Sequence, residues 1–156
     1  MEATAGGKVT FLGLNALRLI SLVVIILVFT TLVMGLVEDV RDYHNDAIRE
    51  EAQTDDCAYL PGTSIPMQTW GIFWVEFHRS LLLLGAAALF LAELSWFGIS
   101  RFEQTAQSWF PLLSRTRGLA ALGCVHIVLA SSILSHYLDE FPLVVSWMLF
   151  VIGLLY

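Results

Sequence analysis

His78 and His126 come nearest to a cofactor site by residue type and placement. His78 lies about eight residues inside an apolar run that opens at Trp70, and His126 about twelve residues before the end of another that closes at Leu138. At 1.5 Å per helical residue these depths differ by roughly 6 Å, so two antiparallel helices would present an imidazole pair about one turn out of register. That is the arrangement a b-type haem uses. Gly85, Ala86, Gly123 and Ala130 could leave room for a macrocycle, but small residues serve close helix packing equally well. Packing is the stronger expectation for Gly85, Gly123 and the stripes Ala88/Ala92, Cys124/Ser132/His136 and Gly123/Ser131/Ser135. No cofactor is therefore expected, with haem b through His78 and His126 as a minor alternative.

Other ionisable residues interrupt the apolar runs. Glu76 and Arg79 stand three apart, a spacing that lets them pair on one helix and offset each other's burial. Glu93 precedes Trp96 and Phe97 by one turn and could meet Arg101, Arg115 or Arg117 as an anchoring ion pair. His136 precedes Asp139 and Glu140 by three and four residues, a spacing for a water-exposed cluster at a helix end. There is no phosphate-binding glycine loop, no HExxH and no serine nucleophile elbow. The expectation is a protein that is not an enzyme, with no catalytic residue and no metal.

The elements that must position these residues are apolar helices. Of 156 residues 57% are hydrophobic, and the mean hydropathy of +0.73 exceeds that of a water-soluble domain. The net charge of −6 argues against a nucleic-acid partner. Cys57 stands in a polar stretch and Cys124 in an apolar run, so the two are expected as free thiols at different depths. From Leu19 to Val37 no charge occurs, and the acidic residues that follow do not suit signal cleavage.

The expected fold is all-α: one domain of four transmembrane helices in an antiparallel bundle, with spans near 12–37, 70–97, 118–138 and 141–156. An acidic loop over 38–69, its first part helical through about Ile48, and an interfacial connector over 98–117 complete it. Trp70, Phe73 and Trp74 at one end of the second span, and Trp96 and Phe97 at the other, suit the two interfaces of a bilayer. Asp139-Glu140, followed by Pro142 in a first helical turn, implies a tight hairpin between spans three and four. Basic residues favour the side holding Lys8, Arg18, Arg101, Arg115 and Arg117 over that of Arg41 and Arg49, which puts both termini in the cytosol and the acidic loop in a lumen or outside. The fourth span is short of the roughly 20 residues a crossing needs, and a longer natural chain is the expectation.

Cys57, Tyr59-Leu60-Pro61, Ile65-Pro66 and Gly71-Ile72-Phe73-Trp74, with the stretches 118–123 and Ile133 to Phe141, give the chain a resemblance to a family of fungal four-span integral membrane proteins, a domain of unknown function. The resemblance covers roughly two thirds of the chain. It implies a fungal source and a fourth span that continues further, but no activity or ligand. It also implies histidine at position 136 rather than at 78 or 126, which moves interest to an outer cluster of Cys57, His136, Asp139 and Glu140. The functional expectation is assembly: a homo-oligomeric scaffold, or an accessory subunit among other membrane subunits in a lipid bilayer. An oligomeric channel or pore with Glu76 or Arg79 at its entrance is the alternative from another class.

Overall fold

A computed structural model describes residues 2–45, 58–61, 63–96, 108, 119–136 and 138–156, with backbone alone for 2–10 and 96. Among these the chain forms four α-helices and no strand: α1 Glu2–Tyr43, α2 Gly71–Trp96, α3 Leu119–Leu134 and α4 Glu140–Leu155. Helix α1 packs on α2 and α4, and α3 packs on α2 and α4, which closes a four-cornered bundle. Each helix contributes a stripe at three- and four-residue spacing, as an α-helix facing one core requires. On α1 the stripe is Ser21, Val24, Ile25, Val28, Leu32 and Asp39, and on α3 it is Leu122, His126, Leu129, Ala130 and Ile133.

The directions alternate. Ser21, Glu93, His126 and Tyr156 meet at one end, here the lower, whereas Asp39 and Arg79 pair at the upper end, beside the stacked rings of His78 and His136. α1 and α3 therefore run up, and α2 and α4 run down. Between the two ends the core is apolar, with Val28, Leu82, Ala86, Leu89 and Leu149 at its centre. Thr31, Ser95 and Ser146 are also buried, but their hydroxyls donate to carbonyls of their own helices at 2.7–2.8 Å.

Two helices, in the segments Phe11–Tyr43 and Gly71–Ser95, are long and apolar enough to cross a membrane. The other two have 16 residues each, about 24 Å of helix against roughly 30 Å of hydrocarbon. Helix α3 stops four residues before the expected Leu138. The reason is local: the Ser132 carbonyl accepts from the Ser135 hydroxyl and the His136 ring, and His136 N–H turns back to Ile133, supplying partners that a continuing helix would otherwise provide. Helix α1 likewise ends at Tyr43 rather than near Ile48, where the His44 ring takes up the Val40 carbonyl at 2.7 Å and Asn45 N–H turns back to Asp42. The acidic loop from 46 to 57 and all of the connector 98–117 but Ser108 lie outside the described residues.

Pro61 and Pro66 bend the chain back as expected. Leu60 N–H donates to the Ile65 carbonyl and Met67 N–H to that of Ala58, and the buried Leu60 and Ile65 form a small core with Tyr43, Ile72 and Val75. Trp70 takes a left-handed φ of 66° at the entrance to α2. Gly71 follows, buried, where a Cβ would collide with the Pro66 carbonyl. At the crossing of α3 and α4, a Cβ on Gly123 would lie 2.6 Å from the Gly153 carbonyl and one on Gly153 2.9 Å from that of Gly123. These two glycines set the helix separation, as small residues do in closely packed helix pairs.

Candidate functional site

Each helix sends a polar side chain to the lower centre, and α1 also brings the Arg18 guanidinium within electrostatic reach of Glu93 and Tyr156. From α1, the Ser21 hydroxyl donates to Glu93 Oε1 on α2 at 2.7 Å, and the Tyr156 hydroxyl, just past α4, donates to the same oxygen at 2.7 Å. On α3, His126 Nδ1 donates to the Leu122 carbonyl at 2.9 Å, which leaves Nε2 facing Ser21 Oγ at 3.1 Å and Glu93 Oε1 at 3.7 Å. Ser21, Glu93 and His126 are all completely buried, and the Tyr156 ring meets the imidazole edge-on at 5.4 Å.

Counting hydrogens shows what this centre can do. With Glu93 as carboxylate and His126 as imidazolium, Nε2–H donates to Ser21 and Ser21 donates to Glu93. With both groups neutral, the carboxylic acid donates to Ser21 and Ser21 donates to Nε2. Every contact is satisfied in either arrangement. The two arrangements differ by one proton passed between Glu93 and His126 through the serine, while Glu93 Oε2 is buried with no hydrogen-bond partner among the described residues.

The upper centre is built on charge. Arg79 Nε on α2 lies 2.8 Å from Asp39 Oδ2 on α1, with both side chains largely buried. Its guanidinium crosses α1 at Gly35, where a Cβ would collide with it. The His78 and His136 rings stack with centroids 5.2 Å apart and planes 27° from parallel. Beside them, a cavity of about 600 Å³ opens between α1 and the α3–α4 hairpin. Its floor is Thr31, Leu32 and Ile133, and its rim carries Glu38, Asp42 and Asp139 with Arg41.

Several expectations change here. His78 and His126 do not form a pair: His126 belongs to the lower centre and His78 to the upper, where its ring partner is His136, because the offset between them leaves each nearer a different neighbour. The expected Glu76–Arg79 pair gives way to Asp39–Arg79, since Gly35 opens a path across to α1, and Glu76 Oε1 is buried without a hydrogen-bond partner. Glu93, in the last turn of α2, is fully buried and held by two hydroxyls rather than anchored at the surface, while Arg101, Arg115 and Arg117 lie outside the described residues. His136 turns to Ser132, Ser135 and His78 instead of standing on a helical face with Asp139 and Glu140, because α3 has already ended. Cys57 lies outside the described residues, and Cys124 is a free, exposed thiol.

Among the packing residues, Ala88 and Ala92 are buried, Gly123 meets Gly153, and a Cβ on Gly85 would stand 3.1 Å from Leu129. Ser131 and Ser135 are exposed, so they do not pack within the bundle. They line a notch of about 200 Å³ with Leu134, Trp147 and Phe150. Sequence reasoning missed Ser21, Asp39 and Tyr156. A stripe count would have found them: Ser21 precedes Val24, Ile25 and Val28 on one face, Asp39 is seven residues past Leu32, and Tyr156 is four past Ile152.

Residues 63–142, half of the chain, match the model of a protein family described as a domain of unknown function, DUF7598. Neither a curated protein nor a solved structure matches the chain.

Proposed function

This chain belongs to the DUF7598 family, and from that footing we propose that it is a multi-pass integral membrane protein that acts without catalysis, through assembly, as a homo-oligomeric scaffold or as an accessory subunit of a membrane complex. The supporting observation is the distribution of polarity. Leu19, Val23, Phe77, Leu84, Val128 and Val151 are exposed on the outer faces of the four helices, while Ser21, Glu93, His126 and Ser146 are buried inside. Water tolerates only limited exposed apolar patches, whereas lipid solvates such a surface and drives polar side chains inward. With this reading go four crossings, both termini in the cytosol, the upper centre on the lumenal or external side, and a fungal source. Helices α3 and α4 cross the bilayer as short helices where the membrane thins or flanking residues reach outward.

Assembly is favoured over conduction by the core. A largely apolar layer separates the two polar centres, about 27 Å apart from Ser21 to Asp39 along α1, and the Thr31 and Ser146 hydroxyls buried within it bond carbonyls of their own helices. On the outer surface, Ser131 and Ser135 stand one turn apart at the notch, where small side chains let another helix approach closely. In mild detergent the purified chain should run above its monomer mass of 17.4 kDa or retain a second subunit. Replacing both serines by leucine should weaken that association about tenfold or more, a difference of ~1.4 kcal/mol. A strict monomer that copurifies with nothing would contradict the proposal.

A further inference from the structure

We infer that the upper cavity is a binding site for the headgroup of an amine-bearing phospholipid, entered sideways from the outer leaflet; this rests on the membrane reading above. The cavity follows α1 from Thr31 to Asp42, about 16 Å along the helix axis. Over that length its lining changes from apolar to charged. Leu32, Ile133 and the exposed Met34 lie at the deep end, and Glu38, Asp42 and Asp139 at the shallow end, where Phe141 follows Asp139 in the first turn of α4. An amphiphile in a leaflet has the same gradient over the same depth, from acyl chain to headgroup. The volume of about 600 Å³ lies within the range that encloses a small ligand and takes a headgroup with its glycerol and first methylenes.

Charge selects the head. Asp39 and Arg79 neutralise each other in their 2.8 Å pair. Among the described residues of the rim that leaves three carboxylates, Glu38, Asp42 and Asp139, against the guanidinium of Arg41. The surplus attracts a cation, and carboxylates, which only accept hydrogen bonds, favour an ammonium that donates them over a quaternary ammonium that cannot. Arg41 is placed to meet a phosphate on the same headgroup, as guanidinium groups do. A lipid with a negative head and no amine meets repulsion at the same rim.

The experiment uses the full chain, delipidated in mild detergent and examined by native mass spectrometry with one added lipid at a time. Phosphatidylethanolamine should remain bound at about tenfold lower concentration than phosphatidylglycerol, with phosphatidylcholine between them. The triple variant Glu38→Gln, Asp42→Asn, Asp139→Asn should lose that preference. Met34→Trp, which fills the deep end without changing charge, should weaken all binding, and it keeps the test decisive if the triple variant fails to fold. Equal retention of the two lipids, or phosphatidylethanolamine bound undiminished by both variants, would overturn the inference. So would displacement by an equimolar amount of soluble phosphoethanolamine, which would make the ligand a free headgroup. Alkaline carbonate extraction separates the two readings: chain released from membranes removes the membrane reading, whereas chain retained without lipid preference removes only this one.

Discussion

Glu93→Ala should lower the unfolding free energy of the bundle in detergent by roughly 2–4 kcal/mol. Two contributions add. The fully buried Ser21 hydroxyl and the partly buried Tyr156 hydroxyl each lose their 2.7 Å acceptor, and hydrogen bonds of this kind between membrane helices contribute about 0.6–1.7 kcal/mol each. A cavity also opens where four helices meet, adding a packing cost of about 1 kcal/mol or more. Glu93→Gln keeps an acceptor oxygen and the side-chain volume, so its cost should stay below about 1 kcal/mol. Because Ser21 and Tyr156 share one oxygen, the changes Ser21→Ala and Tyr156→Phe should each cost less in a Glu93→Ala background than in the wild type. Thermal unfolding followed by circular dichroism measures all of these. If Glu93→Ala melts with the wild type, the lower centre does not hold the helices together.

At the other end, Arg79→Ala should cost roughly 3–5 kcal/mol, the range for removing one partner of a buried pair. The magnitude comes from what remains, since Asp39 is 5% exposed and would be left without its cation. Asp39→Asn should recover part of that loss in the Arg79→Ala background, because the stranded charge is gone. Gly35→Leu should reproduce part of the loss with both charged residues present, since its side chain takes the space that the guanidinium occupies. Denaturation in the same detergent checks these three, and a cost for Arg79→Ala under about 1 kcal/mol would reduce the pair to the worth of a surface salt bridge.

Much of the architecture was legible because strongly apolar helices announce themselves by composition. The apolar run from Leu19 to Val37 lies within α1, the aromatic Trp70–Trp74 region begins α2, and Asp139-Glu140-Phe141-Pro142 opens α4. Helix ends were less legible, because they depend on which side chains reach back to carbonyls, as the serines after Val128 and the rings of His44 and His136 do. Partners across the bundle were least legible. Glu76 and Arg79 satisfy the helical pairing rule, yet Arg79 reaches Asp39 because a glycine on another helix lets it through. His126 and Glu93 were read separately as a haem ligand and an interface anchor. What joins them is Ser21, an unremarkable residue in sequence whose place in the α1 stripe puts it between them.

The central claim is that lipid, not water, surrounds these helices. It is tested most directly by single nitroxide labels on a background with Cys57→Ser and Cys124→Ala, reconstituted in liposomes. Leu84 and Val128 are 66% and 63% exposed on apolar faces, whereas Asp139 is exposed at the upper turn. Labels at Leu84 and Val128 should collide more often with oxygen, which concentrates in hydrocarbon, than with a water-soluble nickel chelate, and the label at Asp139 should show the reverse. Nickel collisions dominating at Leu84 and Val128 would place those faces in water and contradict the account.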